Sequence, residues 1–145
     1  MSPRHVGFSG TQLGMTESQL KTVSWLIRTQ ADIVHHGDCI GADAQVDSIA
    51  NELGLIVVIH PPLDMKKRAF CESPYMREPK SYLARNQDIV EAVELLIAAP
   101  RGFREMRRSG TWATTRAAAR ARVATIIAWP NGGLGRIDYD RKEDE

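Results

Sequence analysis

Glu94-Leu95-Leu96-Ile97-Ala98-Ala99 is an apolar run. Arg107-Arg108-Ser109-Gly110-Thr111 follows it and directly precedes a helix-like run, 112–120. This pattern predicts a strand, a small-residue turn and the N-terminus of a helix. The first turn of a helix presents unpaired backbone N–H groups and the positive end of the helix dipole, which favours a bound phosphate. Arg101 and Arg104 lie in the same segment and add positive charge. The segment therefore indicates an anionic, nucleotide-like ligand.

Apolar runs alternate with helical patterns along the rest of the chain. We predict strands at residues 5–8, 32–35, 55–59, 94–99 and 123–128, with helices over 17–30, 41–53, 82–93 and 111–122. Strand–helix alternation predicts the α/β class: a single Rossmann-like domain whose mainly parallel five-stranded sheet has helices on both faces. We expect this domain to cover residues 1–130. Residues 131–145 are rich in glycine and then in charge, and we expect a flexible tail there.

Composition narrows the function classes. The chain has 145 residues, 43% of them hydrophobic, and a net charge of +1. So small a net charge gives no global attraction to nucleic acid or to a membrane surface. No apolar run is long enough for a membrane span, and the first residues do not resemble a signal peptide. Two cysteines are too few for a disulfide scaffold, so we expect a cytoplasmic protein.

Three turns follow predicted strands, and ligands of such sheets bind at the carboxyl ends of the strands. In the first turn, Ser9, Gly10 and Thr11 can donate N–H and hydroxyl groups to a phosphate or ribose, or simply form an ordinary turn. The third turn is Ser109-Gly110-Thr111, with Arg108 before it. The convergence of three small or polar turns is stronger evidence for a site than any one of them.

The second turn, 37–43, offers both glycines and acids. Gly37 and Gly41 permit close backbone approach. Asp38 and Asp43 can accept hydrogen bonds from ribose hydroxyls. Asp43 can equally be a first-turn carboxylate that interacts only with the helix dipole.

Other polar residues are less specific. Arg85-Asn86 lies on a predicted helix, either on a solvated face or with Arg85 gripping a phosphate bidentately. The long loop 61–79, with four prolines, is typical of a lid or binding loop. His35, His36 and Cys39 lack the second ligand pair of a zinc site, so we predict no metal and no cofactor.

The three motifs, 37–43, Arg85-Asn86 and Ser109-Gly110-Thr111, resemble the SLOG superfamily. That superfamily includes the Lonely Guy phosphoribohydrolases, the Rossmann domain of DNA-processing protein A and small stand-alone YspA- or YpsA-like members, which this chain matches best. The resemblance covers residues 4–130. It implies a Rossmann-like fold, a nucleotide or ribosylated ligand at these turns, and a homo-oligomer.

One departure from the resemblance concerns catalysis. In Lonely Guy enzymes the last motif reads Pro-Gly-Gly-x-Gly-Thr-x-x-Glu, and the glutamate and an arginine of the earlier helix serve N-glycosidic cleavage. Here Arg85 matches the arginine and is the candidate catalytic residue, whereas Thr114 stands at the glutamate position. A threonine cannot act as a carboxylate base.

Three functions follow from these observations. The first is a sensor or sequestering module that binds a nucleotide or a nucleotide-derived ligand. The second is a nucleotide N-glycosidase in which Asp38, Asp43 or Glu105 replaces the lost carboxylate. The third is single-stranded DNA binding, against which the weak net charge and the few aromatic residues argue.

Overall fold

The computed structural model describes residues 2–139, which form four helices and a seven-stranded sheet. The strands are β1 (His5–Gly10), β2 (Ile33–His36), β3 (Ile56–Ile59), β4 (Tyr75–Met76), β5 (Leu95–Ala99), β6 (Ala124–Ala128) and β7 (Leu134–Ile137). The helices are α1 (Glu17–Gln30), α2 (Ala42–Glu52), α3 (Tyr82–Ala92) and α4 (Gly110–Ala121), and Met65–Lys67 forms a short 3-10 helix.

Local sequence signals explain where the helices begin. Thr16 and Gln19 form a complete capping box at α1, each side chain bonding the other residue's backbone N–H. Ser81 and Ser109 cap α3 and α4 with their hydroxyl oxygens. Strands β3, β5 and β6 are largely apolar runs buried along most of their length, as expected for strands covered on both faces.

The strand order is β4-β3-β2-β1-β5-β6-β7, and only the β6–β7 pairing is antiparallel. The chain builds outward from β1 through β2 and β3, and then returns to place β5 on the other side of β1. The order of the strands therefore switches between β1 and β5. Crevices at such switch points, beyond the carboxyl ends of the strands, are where open α/β sheets bind ligands.

The helices cover both faces of the sheet, as the sequence predicted. Helices α1 and α2 pack together on one face, and α3 and α4 pack together on the other. The larger core, on the α1–α2 side, includes Phe8, Leu26, Ile27, Val46 and Ile59, each no more than 1% exposed.

Two strands were not predicted. Strand β4 lies within the proline-rich loop and adds only Tyr75 and Met76 to the edge of the sheet. Strand β7 lies within the segment that we expected to be a flexible tail, where it pairs with β6 after a turn at Asn131–Gly133. The part of the expected tail at 140–145 lies outside the described residues.

Strand β7 is held by more than its ladder. A Cβ at Gly135 would lie 3.0 Å from the indole Nε1 of Trp129, so glycine lets the indole lie against the strand. Thr16, the N-cap of α1, donates a hydrogen bond to the carbonyl oxygen of Pro130, and Thr22 in α1 donates one to that of Gly132. These contacts anchor the β6–β7 connection to α1.

Within residues 2–139, the helices are all too short or too polar to cross a lipid bilayer.

Candidate functional site

A cavity of about 690 Å³ opens at the carboxyl ends of β1, β2 and β5, at the switch point of the sheet. It collects residues from the β1–α1 turn, the β2–α2 turn, helix α3 and the segment that leads into α4. Elements that are far apart in sequence thus meet in one place because their strands are parallel neighbours.

Eleven of the thirteen predicted ligand-binding residues line this cavity. They are Ser9, Gly10, Thr11, Gly37, Asp43, Arg85, Asn86, Arg108, Ser109, Gly110 and Thr111. Asp38 and Gly41 belong to the same turn as Gly37 and Asp43 but do not line it.

The N-terminus of α4 faces the cavity with unpaired donors. Ser109 caps the helix, its hydroxyl accepting from the N–H of Trp112 at 3.4 Å. The N–H groups of Gly110 and Thr111 have no acceptor among residues 2–139. A Cβ at Gly110 would meet nothing within 4 Å, so the space before this turn is open.

Basic side chains outnumber acidic ones in the cavity. Six of them line it: Lys67, Arg85, Arg101, Arg107, Arg108 and Arg116. The acidic lining residues are Asp43 and Asp64. Arg116 forms an ion pair at 2.9 Å with Glu105, which does not line the cavity. The other basic residues still give an excess of positive charge around the N-terminus of α4.

Arg85 is a buried cation that forms no salt bridge with any carboxylate of the described chain. Its Nη1 donates to the carbonyl oxygens of Gly37 and His60, and its Nε donates to Oδ1 of Asn86 at 2.8 Å. Its Nη2 has only a 3.9 Å contact with Sγ of Cys39. Backbone carbonyls therefore orient the guanidinium without neutralising it.

Asp43 is a buried carboxylate with one oxygen satisfied and one not. Its Oδ2 accepts from the N–H groups of Gly37 at 3.2 Å and Cys39 at 3.1 Å. Its Oδ1 is buried and has no hydrogen-bond partner among the described residues. Burial raises the pKa of Asp43 from its ordinary value, because the charged form loses hydration.

Asp38 has a structural role. Its Oδ2 accepts from Nε of Arg68 at 2.7 Å, and its Oδ1 accepts from the backbone N–H of Cys71 at 2.8 Å. Both partners lie in the 61–79 loop. The predicted ribose acceptor is thus already occupied, and it fixes this loop against the β2–α2 turn instead.

Gly41 is also structural. A Cβ there would lie 2.3 Å from the carbonyl oxygen of Gln12, and its φ of 88° is in the left-handed region. Glycine lets the β1–α1 and β2–α2 turns touch, and the N–H of Ala42 donates to the carbonyl of Thr11 at 2.9 Å. The close approach that the sequence predicted occurs between two turns of the protein.

Thr114 lines the cavity at the position where the Lonely Guy motif has glutamate. Its hydroxyl donates to the carbonyl of Gly110 at 3.0 Å, within the first turn of α4. Trp112, in the first turn of α4, is 7% exposed and packs against Ala98, Ile127 and Trp129. It belongs to the core.

Several lining residues were not singled out from the sequence. They are Gln12, Leu13, Asp64, Lys67, Tyr82, Leu83, Met106 and Arg116. Leu13 and Leu83 are 77% and 73% exposed, which is unusual for leucine and would have marked them had the fold been known. Lys67 donates to Oε1 of Gln12 at 3.1 Å, so the loop 61–79 reaches the β1–α1 turn beside the cavity.

A second polar cluster, His36, Asp47 and Cys71, has the composition of a metal site. His36 Nε2 lies 2.8 Å from Oδ1 of Asp47, and the backbone N–H of Asp38 donates to His36 Nδ1 at 2.9 Å. Because Nδ1 accepts a hydrogen bond, the ring proton of neutral His36 must be on Nε2, the atom that faces the cluster. To bind a metal through Nε2, His36 would have to carry its proton on Nδ1, which here accepts a hydrogen bond. The cluster therefore forms hydrogen bonds that connect β2 to α2.

The sheet order and the cavity at its switch point define the class: the chain has a Rossmann-like α/β fold, as predicted. A molybdenum cofactor binding protein from the phototrophic bacterium Rippkaea orientalis is similar, with a TM-score of 0.69 at 17% identity over 89% of this chain and 78% of that one. DNA processing protein A from Streptococcus pneumoniae is similar with a TM-score of 0.61 at 16% identity over 86% of this chain. This chain spans half the length of that protein.

A third solved structure, the structural genomics target TM1055, has a TM-score of 0.56 at 15% identity, over 81% of this chain and 69% of that one. No protein-family model matches the chain, and no curated protein is similar to it in sequence. At these identities the likeness establishes the fold alone.

Proposed function

We propose that this protein binds a nucleotide, or a phosphorylated, ribosylated derivative of one, as a sensor or sequestering module. The buried guanidinium of Arg85 carries this proposal. Its nearest carboxylate, on Asp43, forms no salt bridge with it, and a bidentate anion would supply a direct ionic partner. The unpaired N–H groups of Gly110 and Thr111 offer a second set of donors to the same anion.

The size of the cavity favours a small molecule. A volume of about 690 Å³ lies within the ordinary range for small-molecule sites, roughly 300–1,000 Å³. The excess of basic side chains around the N-terminus of α4 favours a phosphate there. Single-stranded DNA is the weaker interpretation, because the net charge is only +1 and aromatic residues for base stacking make up only 6% of the chain.

An N-glycosidase is the alternative function. Of the three carboxylates that could replace the missing glutamate, the geometry leaves one available. Asp38 is bonded to Arg68 and Cys71, and Glu105 is paired with Arg116. Of these three, only Asp43 lines the cavity, and its unpaired oxygen and raised pKa suit a general acid. Thr114 supplies no charge, and for this reason we favour binding over cleavage.

Calorimetry and product analysis on the same samples test the proposal. The ligands are nucleoside monophosphates, cyclic nucleotides, ADP-ribose and the molybdenum cofactor, whose binding protein shares this fold. We expect saturable binding of at least one ligand without release of base. Arg85→Ala should abolish the binding, whereas Arg104→Ala, which removes a nearby arginine outside the cavity lining, should preserve it.

Other outcomes separate the alternatives. Base release that disappears in Arg85→Ala would establish the enzyme, and failure of every ligand to bind would refute the proposal. Affinity for oligonucleotides alone, falling steeply with salt, would favour the DNA-binding function. The homo-oligomer and the cytoplasmic location stay predictions from the sequence; sedimentation and fractionation of cells test them.

A further inference from the structure

Asp43 Oδ1 is the one buried side-chain nitrogen or oxygen of residues 2–139 that lacks a hydrogen-bond partner. The other oxygen of the same carboxylate is held by two backbone N–H groups, so the side chain cannot turn away to find a partner without losing both. Unpaired buried polar atoms are rare in folded proteins and costly, more so when charged. Asp43 lines the cavity, so a hydrogen-bond donor of a bound ligand could supply the missing partner of Oδ1.

The surroundings of Asp43 restrict what that group can be. An anionic group would be repelled by the carboxylate. A metal cation would have to enter a cavity lined by six basic side chains, and the second acidic residue there, Asp64, is exposed and already accepts from Lys66 and Tyr82. A neutral donor meets neither obstacle, and a hydroxyl is the neutral donor that a nucleotide carries beside its phosphate.

We infer that Asp43 selects ligands that bear a free sugar hydroxyl, which donates a hydrogen bond to Oδ1 while the phosphate lies at Arg85 and the N-terminus of α4. The inference rests on the proposed function and extends it, since it assigns the hydroxyl-reading residue. Burial raises the pKa of the Asp43 carboxyl, and a bonded hydroxyl would lower it again.

Asparagine at position 43 offers a sharp test. Its amide oxygen can still accept from Gly37 and Cys39, but its NH₂ group then occupies the place of Oδ1 and donates where the carboxylate accepts. Asp64→Asn is the matched control, because it removes one negative charge from the same cavity without altering the buried acceptor. Circular dichroism and thermal melting check that both variants fold.

The ligand series is a ribonucleoside 5′-monophosphate, its 2′-deoxy, 3′-deoxy and 2′,3′-dideoxy analogues, and ribose 5-phosphate, each titrated by calorimetry. For the native protein and for Asp64→Asn, loss of the recognised hydroxyl should weaken binding about ten-fold or more, the usual effect of losing a hydrogen bond to a charged group. For Asp43→Asn, the ribo and deoxy ligands should bind within about two-fold of each other. The two single-deoxy analogues identify which hydroxyl is read.

The failures of the two proposals are distinguishable. Equal affinity of the native protein for all four nucleotides would overturn the role of Asp43 and leave nucleotide binding intact. Binding of none of the probes would overturn both. If Asp43→Asn does not fold, carboxyl NMR of the native protein decides: the pKa of Asp43 should fall with the ribonucleotide but not with the dideoxy analogue, and the same pKa with both would refute the inference.

Discussion

The guanidinium of Arg85 occupies the space in which residue 37 would carry a side chain. A Cβ at Gly37 would lie 2.5 Å from Nη1 of Arg85 and 2.8 Å from its Cζ. Because Arg85 is buried against the carbonyls of Gly37 and His60, it cannot move aside freely. Gly37→Ala should therefore displace Arg85, weaken anion binding at least ten-fold and cost about 1–3 kcal/mol of stability by overpacking.

Gly102→Ala is the matched control for that change. A Cβ at residue 102 would meet nothing within 4 Å, and Gly102 does not line the cavity. Calorimetric titration should give native affinity for this variant. Native affinity in Gly37→Ala as well would show that the position of Arg85 does not matter for binding.

Arg108 and Arg104 allow a test of the charge around the N-terminus of α4. Both are exposed, but only Arg108 lines the cavity. Arg108→Ala should weaken ligand binding a few-fold and make the affinity less dependent on salt, because one screened ion pair is lost. Titrations at low and high salt measure both effects, and an equal effect of Arg104→Ala would mean that general surface charge attracts the ligand.

Much of the fold was predictable from local patterns. Five strands and four helices follow from apolar runs and from caps such as Thr16 and Ser109, and parallel pairing then follows from their alternation. Strand β7 was missed although Asn131-Gly132 before it is a known hairpin signal, since the charge after it suggested a tail. Strand β4 offers no such signal, because both its residues are exposed.

The site was predictable as a set of turns but not as a set of side-chain roles. Asp38 and Asp43 lie in one turn, and the sequence gives each the same possible use. The positive φ of 55° at Asp38 is part of the backbone path that places its carboxylate against Arg68, thirty residues away in sequence. Only tertiary contacts of that kind decide which acid faces the cavity.

The Asp38–Arg68 pair makes a prediction about the 61–79 loop. The Asp38 side chain is fully buried, so removing its cationic partner leaves a charge without compensation. Arg68→Ala should lower the free energy of unfolding by about 3 kcal/mol and make the loop more susceptible to limited proteolysis. Lys66→Ala, in the same loop, should do neither, because only the backbone N–H of Lys66 is bonded to Asp64. Equal proteolysis of both variants would contradict the anchoring role of the pair.

A row of three neighbouring histidines predicts how stability responds to acid. His35 bridges His5 and His60, with nitrogen–nitrogen distances of 2.9 and 2.8 Å. Burial, then repulsion by His60 and His5, lowers the pKa of His35 from 6.5 to about 3, and burial with repulsion by Arg77 lowers the pKa of His60 to about 4. Below pH 6.5 these histidines take up protons in the unfolded chain but stay neutral in the folded protein, so protonation favours unfolding. The free energy of unfolding should therefore decline as the pH falls from 6.5 towards 4 and 3.

Asp43 acts in the opposite direction, because its raised pKa favours the folded state as the pH falls towards 3.8. Residue-specific titration is therefore the cleaner measurement. By NMR, the ring signals of His35 and His60 should keep their neutral positions down to about pH 5, well below the usual midpoint of 6.5. Urea unfolding of the Asp43→Asn variant, which lacks the opposing carboxyl, should then show a midpoint that falls between pH 6.5 and 4. Titration of His35 or His60 near 6.5 in the folded protein would refute their burial as neutral rings.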